Sequence, residues 1–220
     1  MTETTIDSVY LGAADRVAEI LRTAGPTELG TTVAACPDWT VHDLGAHLAG
    51  GVSDILNGRT DGVPGRKWTA RHVAELQNAT ADDLADQLVS GSRRIPSTML
   101  ASVSPTPAWD LLVHEGDLRE TLGLPIQPAQ AHAALLPDVV QFLGEPGRLE
   151  GGVRITTDDH TWMIGDGSAR ATVHATDYEL LRILFSRRSR RQIETVVDGD
   201  SEAVIGLGVF GPRDDDQPLP

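Results

Sequence analysis

The sequence is poor in cysteine and has no long apolar run. Cys36 is the single cysteine among 220 residues, which excludes an intramolecular disulfide and any metal or redox site built on a Cys-x-x-Cys pair. No stretch of 18 apolar residues occurs, so we expect no membrane-spanning helix. The first seven residues are polar and acidic, unlike a secretory signal peptide. We therefore expect a cytoplasmic protein.

Positive charge is also scarce. Lys and Arg total 18 against 32 for Asp and Glu, and the formal net charge is -14. Binding to nucleic acid or to an anionic membrane surface needs clustered positive charge, so we expect neither as a partner. Hydrophobic residues make up 40% and charged residues 23% of the chain, a composition typical of a globular protein rather than a disordered one.

Helical periodicity dominates residues 1–124. Apolar side chains recur three and four positions apart, the spacing of a helix that buries one face. Four longer helices, with a short one over 69–78, favour a four-helix bundle. The predicted long helices span residues 8–24, 40–58, 80–95 and 106–122.

Capping residues mark two of these helix starts. Thr40 and Asp43 have the spacing of a capping box, with Asp43 in place of the usual Glu or Gln. Thr106 followed by Pro107 is typical of an N-cap and a first helical residue. The segment before Thr40, which carries Cys36, is expected to be a loop.

The second half of the chain changes character. We expect a linker over 125–150 with one helix at 131–143, in which Pro137 is a candidate break. Beyond it, apolar and polar side chains alternate with the period of a β-strand. The pattern predicts an α+β domain over 151–212 and an acidic, flexible tail over 213–220. The predicted elements of this domain are strands over 153–157, 160–164 and 169–174 and helices over 176–186 and 189–196.

Two histidines and one aspartate are candidate metal ligands. His47 lies mid-helix among small and apolar residues, where a lone histidine is more often a core residue than a ligand. Asp110 and His114 are four residues apart, so they lie on one face of a helix and either grip one metal ion or form an ion pair. Together the three supply two imidazoles and one carboxylate. Three protein ligands with open positions are typical of a catalytic zinc site, and the same set suits non-haem iron.

One longer stretch resembles a known family. Residues 36–48, CPDWTVHDLGAHL, resemble the signature CPxWTVxDLxAHL of the mycothiol-dependent maleylpyruvate isomerase family, which belongs to the DinB-like metalloenzymes. Residues 113–119, VHEGDLR, are similar to the VHxxDLR segment of that family. The resemblance covers nearly the whole chain, because it continues in style at residues 178–182, 187–189 and 210–213.

The resemblance implies a fold, a ligand set and two cofactors. It implies a DinB-like four-helix bundle followed by an α+β domain similar to sterol carrier proteins. Carried over, the family's metal ligands fall on His47, Asp110 and His114, with Asp110 where the family pattern has Glu. The implied cofactors are a divalent metal, with zinc as the expected ion, and the low-molecular-weight thiol mycothiol.

Other polar residues are candidates for supporting roles. Cys36 is interpreted as a packed or half-buried thiol rather than a nucleophile, since no base lies at a suggestive spacing. Asp117 either orients an imidazole of the site or pairs with Arg119 at the surface. Arg119, Arg182 and Arg213 are candidates to bind an anionic substrate. Because the chain is strongly acidic, such a cation has to act locally.

Two classes of function remain open at this stage. The first is an enzyme in which the metal stabilises the thiolate of mycothiol. Addition of that thiolate to a double bond, rotation and elimination would isomerise a maleylpyruvate-like compound, whereas attack on another small electrophile would be a thiol S-transfer. The second is a non-catalytic protein with a degenerate metal site, which either binds a small molecule or lipid or acts as a regulatory partner.

Overall fold

The chain consists of a helical N-terminal unit and a C-terminal unit with a small mixed sheet. A computed structural model describes residues 5–96, 107–145, 149 and 151–220. The first unit comprises Met1–Ile126 with Pro220, and the second Gln127–Leu219. The predicted α+β class is confirmed. None of the helices within the described residues has both the length and the apolar character that a membrane span requires.

The first unit is a helical bundle with one small hairpin. Its helix α1 packs against α5 and α6, and α3 packs against α4 and α5. Aliphatic side chains such as Leu21, Leu44, Leu84 and Leu112 are fully buried between these helices. The elements are α1 Ile6–Thr23, α2 Pro26–Leu29, β1 Thr32–Val33, β2 Cys36–Thr40, α3 Val41–Asn57, α4 Arg66–Leu76, α5 Ala81–Ser92 and α6 Pro107–Leu122.

The start of α3 is fixed by the predicted capping box. The Thr40 hydroxyl accepts from the backbone N–H of Asp43, and the Asp43 carboxylate accepts from the backbone N–H of Thr40. Two backbone donors that the helix leaves unpaired are thereby satisfied. The other predicted N-cap, Thr106, lies outside the described residues.

The expectation of a loop before α3 is wrong. Residues Cys36–Thr40 form a strand that pairs antiparallel with Thr32–Val33. The pairing could not be predicted from the sequence because the hairpin is short and irregular, and because Pro37 lacks the N–H that a strand interior needs. The strand matters for the candidate site because it holds Cys36 and Trp39 immediately before the helix that carries His47.

The second unit contains a mixed sheet of order β4-β3-β5-β6 within the described residues. Strands β3 and β5 are parallel, and the other two pairings are antiparallel. Val153, Ile155, Ile164 and Val173 bury their side chains on it. The elements are α7 Ala129–Leu143, β3 Gly152–Thr156, β4 Thr161–Ile164, β5 Ala169–His174, α8 Asp177–Leu184, α9 Arg190–Glu194, β6 Val197–Gly199 and α10 Ser201–Ile205.

Three features of the second unit differ from expectation. Helix α7 belongs to this unit rather than to a linker, and it continues through Pro137, with Leu136 and Val140 on either side of the proline buried. Strand β6 and helix α10 were not predicted, because each is too short to show periodicity. The tail, expected to be flexible, is tied to α9, where Gln217 N–H donates to Gln192 Oε1 over 3.0 Å.

Candidate metal centre

His47, Asp110 and His114 come together between α3 and α6 of the first unit. Asp110 Oδ2 lies 3.4 Å from His47 Nε2, and Asp110 Oδ1 lies 3.5 Å from His114 Nε2. One ligand atom from each residue lies within 4.8 Å of the other two. Both histidines are buried, whereas the Asp110 side chain is 41% exposed. The cluster is therefore anchored in the bundle and open to solvent on the carboxylate side.

The spacing of these atoms fits a single divalent ion. Ligand atoms about 2.0–2.2 Å from a tetrahedral zinc ion are roughly 3.3–3.5 Å apart. The two separations between Asp110 and the imidazoles match that value and are long for hydrogen bonds. Aspartate is one methylene shorter than the glutamate of the family pattern, yet Asp110 reaches both imidazoles. The residues present therefore fit the ion that the ligand set implies.

The charges of the cluster reinforce one another. Burial alone would raise the pKa of Asp110, but the facing imidazoles of His47 and His114 outweigh it and hold that pKa low. Burial alone would lower the pKa of His114, but its contacts with Asp110 and Asp117 raise that pKa well above its ordinary value. Asp110 is thus an anion, as a metal ligand must be.

The far edge of each imidazole has its own partner. His114 Nδ1–H donates to Asp117 Oδ2 over 2.8 Å, and the Cys36 thiol lies 3.9 Å from the same oxygen. His47 Nδ1 lies 3.2 Å from His72 Nδ1. Contacts of this kind fix the orientation and tautomer of metal-binding histidines. In both residues Nε2 is the nitrogen that faces Asp110.

The partner of His47 is itself held by a buried carboxylate. His72 Nε2–H donates to Asp54 Oδ2 over 2.9 Å, and Asp54 is also paired with Arg59 over 2.7 Å and with Arg71. Burial would raise the pKa of Asp54, but its bond to His72 and the two arginines lower it. Burial lowers the pKa of His72 despite its bond to Asp54.

Comparison with known proteins decides the family. The family model described as mycothiol maleylpyruvate isomerase N-terminal domain matches residues 10–134, more than half of the chain. The chain belongs to this family. None of the curated proteins matches it.

Two solved structures share the fold of this family member. One is the mycothiol-dependent maleylpyruvate isomerase, with a TM-score of 0.56. The other is a mutant of that enzyme in which alanine replaces a histidine, with a TM-score of 0.55. Each comparison covers 84% of this chain and 92% of the other, at 12% identity. At that identity, the likeness establishes a common fold.

Two tryptophans lie beside the histidines of this family member. The Trp39 ring is centred 5.0 Å from the His47 ring and 6.2 Å from the His114 ring. Trp68 lies 5.7 Å from His47 and 4.2 Å from His72, and it donates from Nε1 to a backbone carbonyl. Trp39 is half-buried, so it presents aromatic surface both to the cluster and to solvent.

The first of the three arginine candidates, Arg119, has a structural partner. Arg119 Nε donates to the buried Glu115 over 2.8 Å, and Arg119 Nη1 donates to the Pro125 carbonyl. Of the two predicted roles of Asp117, the surface pair with Arg119 is therefore wrong, because Asp117 is buried and forms a hydrogen bond with His114. The Glu115–Arg119 spacing of four residues was the signal for the true pair.

The other two arginine candidates belong to the second unit. Arg182 is buried, with its guanidinium carbon 6.0 Å from the Tyr178 ring centre. Arg213 forms a bidentate pair with Asp215 and donates to the Ser186 carbonyl. A role for these two arginines in binding an anionic substrate stays a prediction.

His72 and Asp54 were not predicted as functional residues from the sequence. Asp54 lies seven residues after His47, two helical turns along α3, so it shares the face of that histidine. That spacing was a usable signal. His72 comes from another helix, and its position depends on how closely α4 approaches α3.

Proposed function

We propose that this family member is a divalent-metal-dependent enzyme that uses a low-molecular-weight thiol, mycothiol, as cosubstrate or cofactor. The reaction is cis–trans isomerisation of a maleylpyruvate-like compound or transfer of the thiol to another small electrophile. The observation that supports this proposal is the convergence of two buried imidazole Nε2 atoms on one partly exposed carboxylate. His47, Asp110 and His114 would hold the ion, and we propose zinc.

The two histidines and Asp110 have separate tasks in this proposal. A bound zinc ion supplies a Lewis acid that favours a thiolate near neutral pH. His47 and His114 direct their Nε2 edges at one point, because their Nδ1 edges are already engaged. The exposed side of Asp110 marks the direction from which a small molecule reaches that point.

The position of Cys36 supports a thiol that arrives from outside. Its Sγ lies beside Asp117 Oδ2, the oxygen that accepts from Nδ1 of His114. The chain's own thiol is therefore on the edge of His114 that faces away from the proposed ion. Cys36→Ser should leave thiol-dependent turnover intact, because a hydroxyl can still donate to Asp117. A Cys36→Ser enzyme that no longer responds to mycothiol would overturn this assignment.

Trp39 forms a half-buried aromatic wall beside His47 and His114. A conjugated, planar electrophile such as a maleylpyruvate-like compound can stack on such a ring. Isomerisation and S-transfer both need the thiol and the electrophile next to each other, so this wall serves either reaction. It favours an enzyme over a non-catalytic protein with a degenerate site, as does the reach of Asp110 to both imidazoles.

Metal content is the first test of the proposal. Purified wild-type protein should carry one divalent ion per chain by mass spectrometry of the elements, and His47→Ala and His114→Ala should lose it. His42→Ala is the matched control, because His42 lies on the same helix but bonds the Ala79 carbonyl over 2.8 Å. Wild-type protein without metal after zinc-replete growth would sink the enzyme proposal and favour the non-catalytic alternative.

Thiol binding and turnover form the second test. Calorimetric titration of mycothiol should detect binding to zinc-loaded protein and much weaker binding to chelated protein. Maleylpyruvate and a chromogenic halonitrobenzene then separate isomerisation from S-transfer, each assayed with and without mycothiol. Mycothiol binding that is equal in zinc-loaded and chelated protein would contradict the proposed role of the ion.

A further inference from the structure

His47, His72 and Asp54 form a line of three buried side chains. His47 Nδ1 lies 3.2 Å from His72 Nδ1, and His72 Nε2 lies 2.9 Å from Asp54 Oδ2. His47 is 1% exposed, and His72 and Asp54 are not exposed at all. Water therefore does not supply the hydrogen bonds of these imidazoles, and their ring nitrogens depend on one another.

The Asp54 carboxylate decides which nitrogens of His72 and His47 donate and which accept a hydrogen bond. The Asp54 carboxylate faces Arg59 and Arg71 as well as His72, so it only accepts. His72 Nε2 must then carry the hydrogen of that contact. With one hydrogen on His72, its Nδ1 has a lone pair and accepts from Nδ1–H of His47. Nε2 of His47, the nitrogen that faces Asp110, is thereby the one left to bind the proposed ion.

The charges around Asp54 favour this neutral form of His72. Arg59 Nη2 lies 3.7 Å from Glu75 and Arg71 Nε lies 3.9 Å from Glu75. Two arginines thus face two carboxylates, and a second proton on His72 would add an unbalanced charge. It would also reverse the bond to His47 and put a hydrogen on the nitrogen that the proposed ion needs.

We propose that His72 and Asp54 are positioning residues that hold His47 in its Nδ1–H tautomer and fix the direction of its ring. The inference rests on the proposed metal site and deepens it. His114 receives its orientation directly from a carboxylate, Asp117. His47 receives it through a second imidazole, so this ligand depends on a helix, α4, that supplies no ligand itself.

Gly50 makes the required approach of α4 to α3 possible. A Cβ at Gly50 would lie 2.6 Å from Cβ and Cγ of His72, closer than real side chains pack. A Cβ at the next residue, Gly51, would meet only Trp68, at 3.4 Å. Alanine at Gly50 should therefore displace His72, whereas alanine at Gly51 should not.

Substitutions at His72 test the hydrogen bond directly. His72→Phe keeps a flat ring but removes the acceptor, and we expect a loss of zinc and cobalt affinity of about 10- to 100-fold, as for other residues that support a ligand. His72→Asn keeps an acceptor near the position of Nδ1 and should restore most of that affinity. Affinity is measured by competition with a chromophoric chelator, and the visible spectrum of bound cobalt reports any change in ligand geometry.

Alanine substitutions at Gly50 and Gly51 test the same hydrogen bonds, from Asp54 through His72 to His47, without changing any of their polar atoms. Gly50→Ala should weaken metal binding and shift the cobalt spectrum, and Gly51→Ala should do neither. Thermal unfolding of each metal-free variant shows whether it folds. The proposal is overturned if folded His72→Phe binds zinc within about twofold of wild type, or if Gly50→Ala and Gly51→Ala behave alike. If His72→Phe does not fold, the glycine pair and His72→Asn decide.

One readout separates this inference from the proposed function. Nitrogen-15 NMR of the metal-free protein reports which nitrogen of His47 carries the hydrogen. Nδ1 of His47 should carry a hydrogen in wild type, whereas in His72→Phe the hydrogen should be on Nε2 alone. If wild-type protein binds no metal but its His47 carries the hydrogen on Nδ1, the proposed function fails, while the positioning role of His72 and Asp54 stands. If metal binds but the His47 tautomer is the same in both proteins, the positioning role of His72 and Asp54 fails and the metal site stands.

Discussion

Asp110 on α6 places Oδ2 3.4 Å from Nε2 of His47 on α3. This contact joins the only carboxylate of the proposed ligand set to the histidine on the facing helix. Asp110→Ala should lower zinc affinity by more than about 100-fold, beyond the loss typical of residues that only support a ligand. Asp110→Glu should bind zinc within about tenfold of wild type, because the side chain is partly exposed and has room for one more methylene.

Equilibrium competition with a chelator measures both variants. Metal-free Asp110→Glu should unfold at a temperature close to wild type, because it keeps the charge that faces the two imidazoles. Metal-free Asp110→Ala should unfold at a lower temperature, because His114 loses a partner that raises its pKa. Retention of zinc by Asp110→Ala would mean that Asp110 is not a ligand. Loss of zinc in Asp110→Glu would mean that the site is built to the length of aspartate.

Helix periodicity explains what could be predicted about the site. Asp110 and His114 are four residues apart, so any helix over that segment puts them on one face. The resemblance then paired them with His47, which on local grounds was more often a core residue. Two helices of one bundle need only face each other for these three side chains to meet.

Tertiary contacts explain what could not be predicted. His72 reaches His47 only because Gly50 lets α4 come close, and no local pattern encodes that distance. The β1–β2 hairpin has two paired residues on its first strand, too few for alternation to appear. The parallel pairing of β3 with β5 likewise depends on chain topology, although the strands themselves were predicted.

Arg119 pairs with a residue that was not considered among its partners from the sequence. The sequence offered Asp117 two residues away and Glu115 four residues away, and only the second spacing puts both side chains on one helix face. Glu115 is fully buried and also forms a bidentate pair with Arg16, both contacts being 2.7 Å. Glu115 therefore links α1 to α6 through Arg16, and a role for its second partner, Arg119, in binding substrate stays a prediction.

Removal of Glu115 should destabilise the protein strongly. Glu115→Ala leaves Arg16 and Arg119 close together without their shared carboxylate, and we expect a loss of about 3–5 kcal/mol in the free energy of unfolding. For a chain of this size that corresponds to roughly 6–20 °C in Tm. Arg119→Ala removes one charged hydrogen bond and should cost about 1.5–3 kcal/mol.

Thermal and urea unfolding of the metal-free proteins measure these changes. Arg22→Ala is a matched control, because Arg22 pairs with Asp86 at the exposed surface and should cost little. An unchanged Tm in Arg119→Ala, together with a raised KM for an anionic substrate, would support a substrate-binding role for Arg119.

Metal binding should release a proton at neutral pH. The pKa of His114 in the metal-free protein lies well above its ordinary value of 6.5, so the imidazole keeps its proton at pH 7 and has to lose it to bind an ion. Zinc affinity should therefore fall as pH is lowered from the pKa of His114 through 6.5. The folding stability of the metal-free protein depends on pH in the opposite direction. The stabilisation from protonated His114 is complete below pH 6.5 and is lost as pH rises through the raised pKa of His114.

Calorimetry in two buffers of different ionisation enthalpy measures the released proton. Asp117→Asn is the informative variant, because it removes a bond that raises the pKa of His114. It should release fewer protons than wild type at the same pH. Zinc binding to wild type at pH 7 without proton release would contradict the assignment of His114.

Gly91 of α5 contacts Val52 of α3 at a point where no side chain fits. A Cβ on Gly91 would overlap Val52 Cγ1, so Gly91→Ala should cost about 1–3 kcal/mol from overpacking despite a gain of roughly 1 kcal/mol in helix propensity. Val52→Ala removes the clashing methyl groups. The double variant should therefore be more stable than the sum of the single changes, with a coupling of about 0.5–3 kcal/mol. Urea unfolding of all four proteins measures this coupling, and strictly additive free energies would mean that the helices separate to admit the methyl group.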